Sequence, residues 1–211
     1  MKNIIVSLIT NEEGLYEGDL KYYFKHIFNA PNVRAPYHNF RHMMHVACEV
    51  YDAMKYFKYD ETHGKRKARA FLIAAMFHDY GHPGKMGNDH QNIIDAKSAL
   101  QKYLLPEDQD LLESIENIID ATEYPHVELP ETLEVQIIRD ADTAQTFSDV
   151  WLQQIIFGLS QEMGVTPLKC LQDESKFIAS IPFKTQWAID KYTEDKVQRL
   201  ADIEQMLTFL N

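Results

Sequence analysis

The sequence predicts an all-α fold, a compact bundle of many helices. Apolar residues recur at intervals of three and four along most of the 211-residue chain, which is the period of an amphipathic helix. Strict alternation of apolar and polar residues over five or more positions is hard to find. The breaks between periodic segments are too short to be convincing interdomain linkers, so residues 1–211 are expected to form a single domain.

Each predicted helix is bounded by residues that interrupt a helical backbone. In chain order, the helices are expected from about Glu12 to Phe28, Tyr37 to Phe57, Lys65 to His78, Asp89 to Tyr103, Pro106 to Ala121, Glu131 to Phe147, Asp149 to Met163, Thr166 to Ala179 and Lys184 to Phe209. The breaks are rich in Gly, Pro and Asn and fall at residues 30–32, 59–64, 81–87, 124–130 and at Gly164.

Composition narrows the class of partner. The formal net charge of −11 argues against a nucleic-acid partner, because phosphate backbones attract basic surfaces and the largest basic cluster lies at residues 65–69. Cys48 and Cys170 lack the paired spacing of a thiolate metal site or a disulfide framework. The apolar stretch at residues 4–9 is too short for a signal-peptide core or a membrane span, so we expect an ordered N-terminal segment of a cytoplasmic protein with no membrane partner.

The segment MFHDYGHPG, residues 76–84, is the most informative motif. It places His78 beside Asp79, where a largely apolar helix meets a Gly/Pro turn. An adjacent imidazole and carboxylate can bind one metal ion, and the second carboxylate oxygen remains free to bind another. His42 upstream and Asp142 downstream complete a set of histidines and carboxylates.

The spacing around Asp142 directs its side chain inward. Asp142 follows Val135 and Ile138 at helical intervals, whereas Asp140 points elsewhere by the same geometry and is left out of the metal set. Imidazole and carboxylate ligands without thiolates suit Zn, Mn, Fe or Mg. Two such ions, bridged by a carboxylate, can acidify a shared water and stabilise both oxygens of a displacement at phosphorus. The chemistry predicted is phosphoester hydrolysis.

That reaction also needs a proton for the departing alkoxide. The spacing of His38, His42 and His45 would place all three on one face of a helix. His38, one predicted turn from the ligand His42, could reach over the metal site, and a histidine titrates near neutral pH. We therefore expect His38 to be the general acid and His45 to support His42 or to be a buried core histidine.

Taken together, these segments resemble the HD superfamily of phosphohydrolases and, within it, the class I 3',5'-cyclic nucleotide phosphodiesterases. Tyr37-His38-Asn39 with His42 is similar to the family's YHNxxH pattern, and His78 to Gly84 is similar to HDxxHPG. Ala121-Thr122-Glu123 is similar to ATD, and Ala141-Asp142 is similar to AD. Further on, Gln161 to Cys170 resembles ExxxGxxxSPxCD and Lys184-Thr185-Gln186 resembles KSQ. The resemblance spans about residues 37–190.

The resemblance implies an HD-domain, phosphodiesterase-like bundle that acts on a small nucleotide-like phosphoester, a cyclic nucleotide first. It implies two divalent ions, one Zn, Mn or Fe and one Mg or Mn, with a bridging hydroxide that attacks phosphorus. His38 would be the proton donor. His82, Thr122 and Glu123 would support the metal ligands, while Asn39 and Gln186 would contact substrate, the glutamine holding a purine.

Three departures from the family pattern affect substrate identity. His45 stands where the family has an aspartate three residues after the second histidine, so the surroundings of His42 must differ. Asp95, in NIIDAKSAL, lies where the ENHH segment is expected and resembles other HD hydrolases more; we expect it to support the metal ligands from there. Ile189 replaces the phenylalanine that stacks on the base. A noncyclic nucleotidase, or a catalytically silent module that binds metal and nucleotide, therefore remains open as an alternative.

Overall fold

The computed structural model describes residues 4–84, 89–126 and 129–210, and the regular elements in these ranges are all helical. The α-helices of the described residues are α1 (Ile4–Thr10), α2 (Lys21–Phe28), α3 (Phe40–Phe57), α4 (Tyr59–His63), α5 (Lys65–Phe77), α6 (Asp89–Tyr103), α7 (Leu112–Asp120), α8 (Leu133–Thr143), α9 (Ser160–Met163), α10 (Pro167–Ser180) and α11 (Gln186–Leu210). Pro106–Leu111 and Ala144–Phe147 form 3₁₀ turns, and Leu152–Leu159 is a π-helix. The all-α prediction is confirmed.

Helix α5 lies at the centre of the bundle. Every residue from 68 to 77 is buried, because α5 packs against α3 on one side and α7 on another. Its one buried cation, Arg69, makes a bidentate pair with the fully buried Asp108, with Nε–Oδ1 2.9 Å and Nη2–Oδ2 2.8 Å. Tyr23 of α2 donates to the same carboxylate. This network fixes the helix that ends at Phe77, directly before His78, against its neighbours.

Several predicted boundaries are corrected by backbone conformation. The single helix expected from Glu12 to Phe28 is wrong, because Gly14 and Gly18 adopt φ values of +68° and +67° and separate α1 from α2. The break expected at residues 59–64 contains one helical turn, α4. The helices expected from Pro106 and Glu131 each include a 3₁₀ turn. Residues 85–88 and 127–128, within two other predicted breaks, lie outside the described residues.

Two contacts set the C-terminal third against the rest of the bundle. Asp140 of α8 accepts hydrogen bonds from the backbone N–H groups of Lys184 and Thr185 and from the Thr185 hydroxyl, so it anchors the start of α11. In the π-helix, a Cβ on Gly158 would lie 2.5 Å from the carbonyl oxygen of Pro36. Glycine thus permits this helix to approach the segment that carries His38. Among the described helices, none is both long and apolar enough to span a membrane.

Candidate active site

A cavity of about 310 Å³ opens between the end of α5 and helices α3, α6, α8 and α10. Two carboxylates and two imidazoles form one end of it. His42 lies in the first turn of α3, His78 and Asp79 directly follow α5, and Asp142 lies in the last turn of α8. Three separate parts of the chain therefore meet at this end, which we call the polar end.

The two imidazoles point their Nε2 atoms at each other and at the carboxylates. The His42 and His78 Nε2 atoms are 3.3 Å apart. Asp79 Oδ2 lies 3.2 Å from each of them, and Asp142 Oδ1 lies 3.0 Å from His42 and 3.5 Å from His78. The structure thus brings together all four residues that the sequence suggested as metal ligands.

Hydrogen bonds on the other ring nitrogens fix this orientation. His42 Nδ1 lies 2.9 Å from Gln145 Oε1, and His78 Nδ1 lies 2.9 Å from the carbonyl oxygen of Ala75. Since both partners only accept hydrogen bonds, each neutral ring carries its proton on Nδ1 and turns an Nε2 lone pair toward the carboxylates. Gln145 was not among the predicted site residues. It occupies the supporting position that the substitution at His45 left open.

The carboxylate oxygens and Nε2 lone pairs at the polar end together favour binding of a positive charge. Asp79 Oδ2 is buried and makes no hydrogen bond to any residue the structure describes. Burial lowers the pKa of His42, but Asp142 and Asp79 outweigh it and raise the pKa to about 9. Burial raises the pKa of Asp79, but the imidazoles of His78, His38 and His42 outweigh it and hold this pKa well below its ordinary value. The site therefore attracts a cation.

The donor set fits a divalent metal ion. Ligand atoms about 2.0–2.2 Å from one ion lie roughly 3.0–3.5 Å from each other, and the separations here are 3.0–3.5 Å. The imidazoles are held through their second nitrogens by an amide and a carbonyl, as ligating histidines usually are. His42, His78 and Asp142 form one group of three with Asp79 beside it.

His38 lies beside the polar end but not on the predicted helix. Helix α3 begins at Phe40, so His38 belongs to the preceding loop and does not share a helical face with His42 and His45. Its Nδ1 lies 2.6 Å from Glu162 Oε2. Glu162 Oε1 also accepts hydrogen bonds from the backbone N–H groups of Tyr37 and His38, at 2.7 and 3.1 Å. The loop and the ring are thereby held by one carboxylate.

Glu162 is a functional candidate that sequence reasoning missed. It lies in α9, its side chain is 3% exposed, and burial raises its pKa, but the contacts with His38 outweigh burial and lower it. Only its place within the segment from Gln161 to Cys170 gave a signal. Nothing in that segment connected the glutamate with a histidine more than 120 positions earlier, because the contact depends on tertiary packing.

His82 also lies at the cavity, and its contacts correct the prediction for α6. Its ring stacks on His38 with centroids 3.7 Å apart, and its Nε2 lies 2.7 Å from the Asn92 amide. Asn92 is buried, whereas Asp95 is exposed and, among the described residues, accepts a hydrogen bond from Gln91 alone. The inward face of α6 carries Asn92 and Ala96, so the expected support from Asp95 is not formed in this arrangement.

Two buried asparagines position the loops around the site. Asn39 is the N-cap of α3, and its side chain accepts from the N–H groups of Arg41 and His42 and donates to Ala35. Asn39 thus caps the helix that carries His42, and it is not among the residues that line the cavity. Asn32, which the sequence marked only as a break, donates to the carbonyl oxygens of His38 and Asp79, each at 2.7 Å. It ties the loop that carries His38 to the loop that carries Asp79.

Of the other three residues expected to support the metal ligands, one lines the cavity and two do not. Thr122 lines the cavity and donates to the carbonyl oxygen of Ile119. Glu123 is partly buried and pairs with the exposed His90 outside the cavity. His45 is half-buried, its Nε2 has no hydrogen-bond partner among the described residues, and burial lowers its pKa to about 4.

Gln186 and Ile189 do not line the cavity. Both are exposed, and the Gln186 amide donates to Asp190 one turn further along α11. The anchor of α11 on Asp140 sets a rotation of this helix that buries Trp187 and Ala188 and turns Gln186 outward. The expected base contact of Gln186 and the stacking position at Ile189 are not formed by this arrangement.

Comparisons with known proteins agree with the first part of the site. Residues 37–116 match the model of the 3'5'-cyclic nucleotide phosphodiesterase family. This range contains His38, His42, His78, Asp79 and His82, so over these residues the chain resembles the catalytic domain of the class I enzymes. A comparison with curated proteins finds no significant match. The family match supports a phosphodiesterase-like hydrolase.

Proposed function

We propose that this protein is a metal-dependent hydrolase of nucleotide phosphoesters, with a 3',5'-cyclic nucleotide as the first substrate. One observation carries the proposal: the Nε2 atoms of His42 and His78 lie 3.0–3.5 Å from oxygens of Asp79 and Asp142, beside a histidine held by Glu162. The family match over residues 37–116 supports it independently.

The charges around the cavity favour metal loading. Its described lining contains five carboxylates and four imidazoles but no lysine or arginine. A phosphate anion entering it meets repulsion unless cations offset those carboxylates. Divalent ions on His42, His78, Asp79 and Asp142, one transition metal and one Mg or Mn, would supply that charge and acidify water for attack on phosphorus.

The protein's own residues supply the proton for the leaving group. Since Glu162 accepts from His38 Nδ1, the proton available to substrate is the one on Nε2 of the imidazolium. Glu162 fixes the ring orientation, and stacking on His82 restricts its rotation further. His38 Nε2 then protonates the ester oxygen as it departs.

A noncyclic nucleotidase is the second candidate, and one observation favours it. Gln186 and Ile189 lie outside the cavity, so the glutamine contact and the stacking position that the phosphodiesterase resemblance implied are both missing there. The polar end serves either reaction, because both break a phosphoester bond.

A substrate panel tests the proposal. The purified protein, loaded in turn with Zn, Mn and Mg, is assayed on cyclic nucleotides, nucleoside 5'-monophosphates and bis(p-nitrophenyl) phosphate. Turnover of cyclic nucleotides supports the first candidate, and turnover of monophosphates alone replaces it with the second. No turnover of any phosphoester, with metal bound, leaves a nucleotide-binding module and overturns both enzymes. His90→Ala, at an exposed histidine, is the matched control.

A further inference from the structure

The cavity has a second end whose chemistry differs from the polar end. Helix α10 presents Cys170, Glu174 and Phe177 to it at intervals of three and four residues, and Ile155 and Leu159 face them from the π-helix. We call this the apolar end. Such a wall suits the flat, weakly polar ring of a nucleobase rather than a phosphate.

Glu174 places one carboxylate within these apolar surroundings. It is 5% exposed, and its Oε1 accepts one hydrogen bond, at 3.1 Å from the hydroxyl of the buried Thr146. No other hydrogen bond or ion pair to Glu174 is formed by the described residues. Arg199, whose charge acts on Glu174, donates its hydrogen bonds instead to the carbonyl oxygens of Thr146 and Ser148.

This arrangement is unusual for a structural residue. Buried carboxylates are normally paired or fully hydrogen-bonded, because the loss of hydration costs several kcal/mol. Here burial raises the pKa of Glu174 to about 7, because the hydrogen bond from Thr146 and the charge of Arg199 do not offset the lost hydration of the carboxylate. The carboxylate lines the cavity with most of its acceptor capacity unused. A ligand with hydrogen-bond donors would satisfy it.

The spacing of donors on the bases decides which ligand fits. Guanine presents two adjacent donors, N1–H and the 2-amino group, which can bind the two oxygens of one carboxylate. Adenine and cytosine present an amino group beside a ring nitrogen acceptor, and that acceptor would face a carboxylate lone pair. Hydrogen bonds to a charged acceptor are about twice as strong as neutral ones.

We propose that Glu174 recognises the N1–H and 2-amino edge of guanine, which makes this protein selective for guanine nucleotides. The assignment rests on the proposed function, because the polar end must hold the phosphate for the base to reach the apolar end. Thr146 then acts as a positioning residue that fixes Glu174 by one hydrogen bond to Oε1, and the remaining lone pairs of both oxygens are left to the base.

An isosteric substitution gives the sharpest test. A glutamine at this position offers one acceptor and one donor, the pattern that matches adenine. Glu174→Gln should lower kcat/KM for cyclic GMP about 10- to 100-fold and should reverse or abolish the preference over cyclic AMP. Turnover of bis(p-nitrophenyl) phosphate, which has no base, and the bound metal should stay unchanged. Glu113→Gln, at an exposed glutamate of α7, is the control variant.

Nucleoside binding separates this inference from the proposed function. Guanosine, inosine and adenosine carry no phosphoester, so their calorimetric binding needs no turnover. Guanosine should bind the wild-type protein more tightly than inosine, which lacks the 2-amino group, and Glu174→Gln should remove the difference. That result stands even if no phosphoester is hydrolysed. Equal use of all bases, or an equal loss on the base-free substrate, would overturn the role of Glu174 and leave the hydrolase proposal in place.

Discussion

The two ends of the cavity differ in the charged groups that line them and in how those groups are paired. At the polar end, the Nε2 atoms of two imidazoles lie 3.0–3.5 Å from oxygens of two carboxylates, and each ring is held through its Nδ1 by an uncharged acceptor. At the apolar end, Glu174 lies among aliphatic and aromatic side chains and has one hydroxyl partner. The first arrangement selects for positive charge, and the second selects for shape and hydrogen-bond donors.

The two ends also differ in whether the family match covers their residues. Residues 37–116 supply His38 and most of the polar end, whereas the apolar end is built from residues beyond that range. The conversion of a phosphoester is thus supported by a known family. The proposed choice of base rests on elements that the match does not reach.

The largest effect is expected at the polar end. Asp79→Asn removes the carboxylate that lies 3.2 Å from both imidazoles, so bound metal and hydrolysis should both be lost, the latter by roughly 10³-fold or more. Metal content by mass spectrometry and steady-state rates measure this. Asp95→Asn, on the exposed face of α6, should change neither. Full metal content in the Asp79 variant would contradict the ligand assignment.

His38→Ala should keep the metal but lose about 10²- to 10³-fold of the rate on a nucleotide ester. The reason is that an alkoxide needs a proton to leave, whereas p-nitrophenolate does not. The variant should therefore hydrolyse bis(p-nitrophenyl) phosphate at nearly the wild-type rate. An equal loss on both substrates would mean that His38 supports binding or folding rather than proton transfer.

Gln145→Ala should weaken metal binding about 10- to 100-fold, because the amide oxygen orients His42 through its Nδ1. Competition with a chelator measures the affinity. His45→Ala, at the position where the family has its aspartate, should have little effect on metal affinity. If the two variants behave alike, Gln145 has not taken over that supporting role.

At the apolar end the expected effect is on stability and depends on pH. The pKa of Glu174 is raised to about 7 in the folded state from 4.5, so the folded protein binds this proton more tightly. The contribution of this proton to the free energy of unfolding is fully present below pH 4.5 and is lost as the pH rises through 7. Relative to wild type, Glu174→Gln should gain about 2–3 kcal/mol in unfolding free energy between pH 5 and pH 8.

Paired denaturant titrations of the two proteins at each pH measure that gain, and other titrating groups cancel in the difference. A constant offset between wild type and Glu174→Gln across this range would show that Glu174 is not desolvated in the folded protein.

The smallest effect is expected for Gln186→Ala. Its side chain is exposed and bonded to Asp190, so kcat/KM for every nucleotide should change less than about 2-fold. A selective loss on purine substrates would show that α11 rotates to bring the glutamine to the base, as the family resemblance implied.

The sequence by itself determined the helical fold and the residue types that meet at the polar end. Periodicity located most of the helices, because the helical repeat is expressed within one or two turns. The adjacent His78 and Asp79, with His42 and Asp142, predicted a metal site from residue type and chain order. The tertiary structure alone decided which distant groups support them. Glu162 on His38, Asn32 between two loops, and Gln145 behind His42 join positions far apart in the chain.

Helix rotation decided the rest. Asp95, Gln186 and Ile189 face outward while Asn92 and Glu174 face inward, and this depends on how α6, α10 and α11 pack rather than on their own sequences. A turn of about 100° per residue moves a side chain from cavity to solvent within one or two positions. A motif therefore specifies what chemistry is present, and packing specifies which side chains reach it.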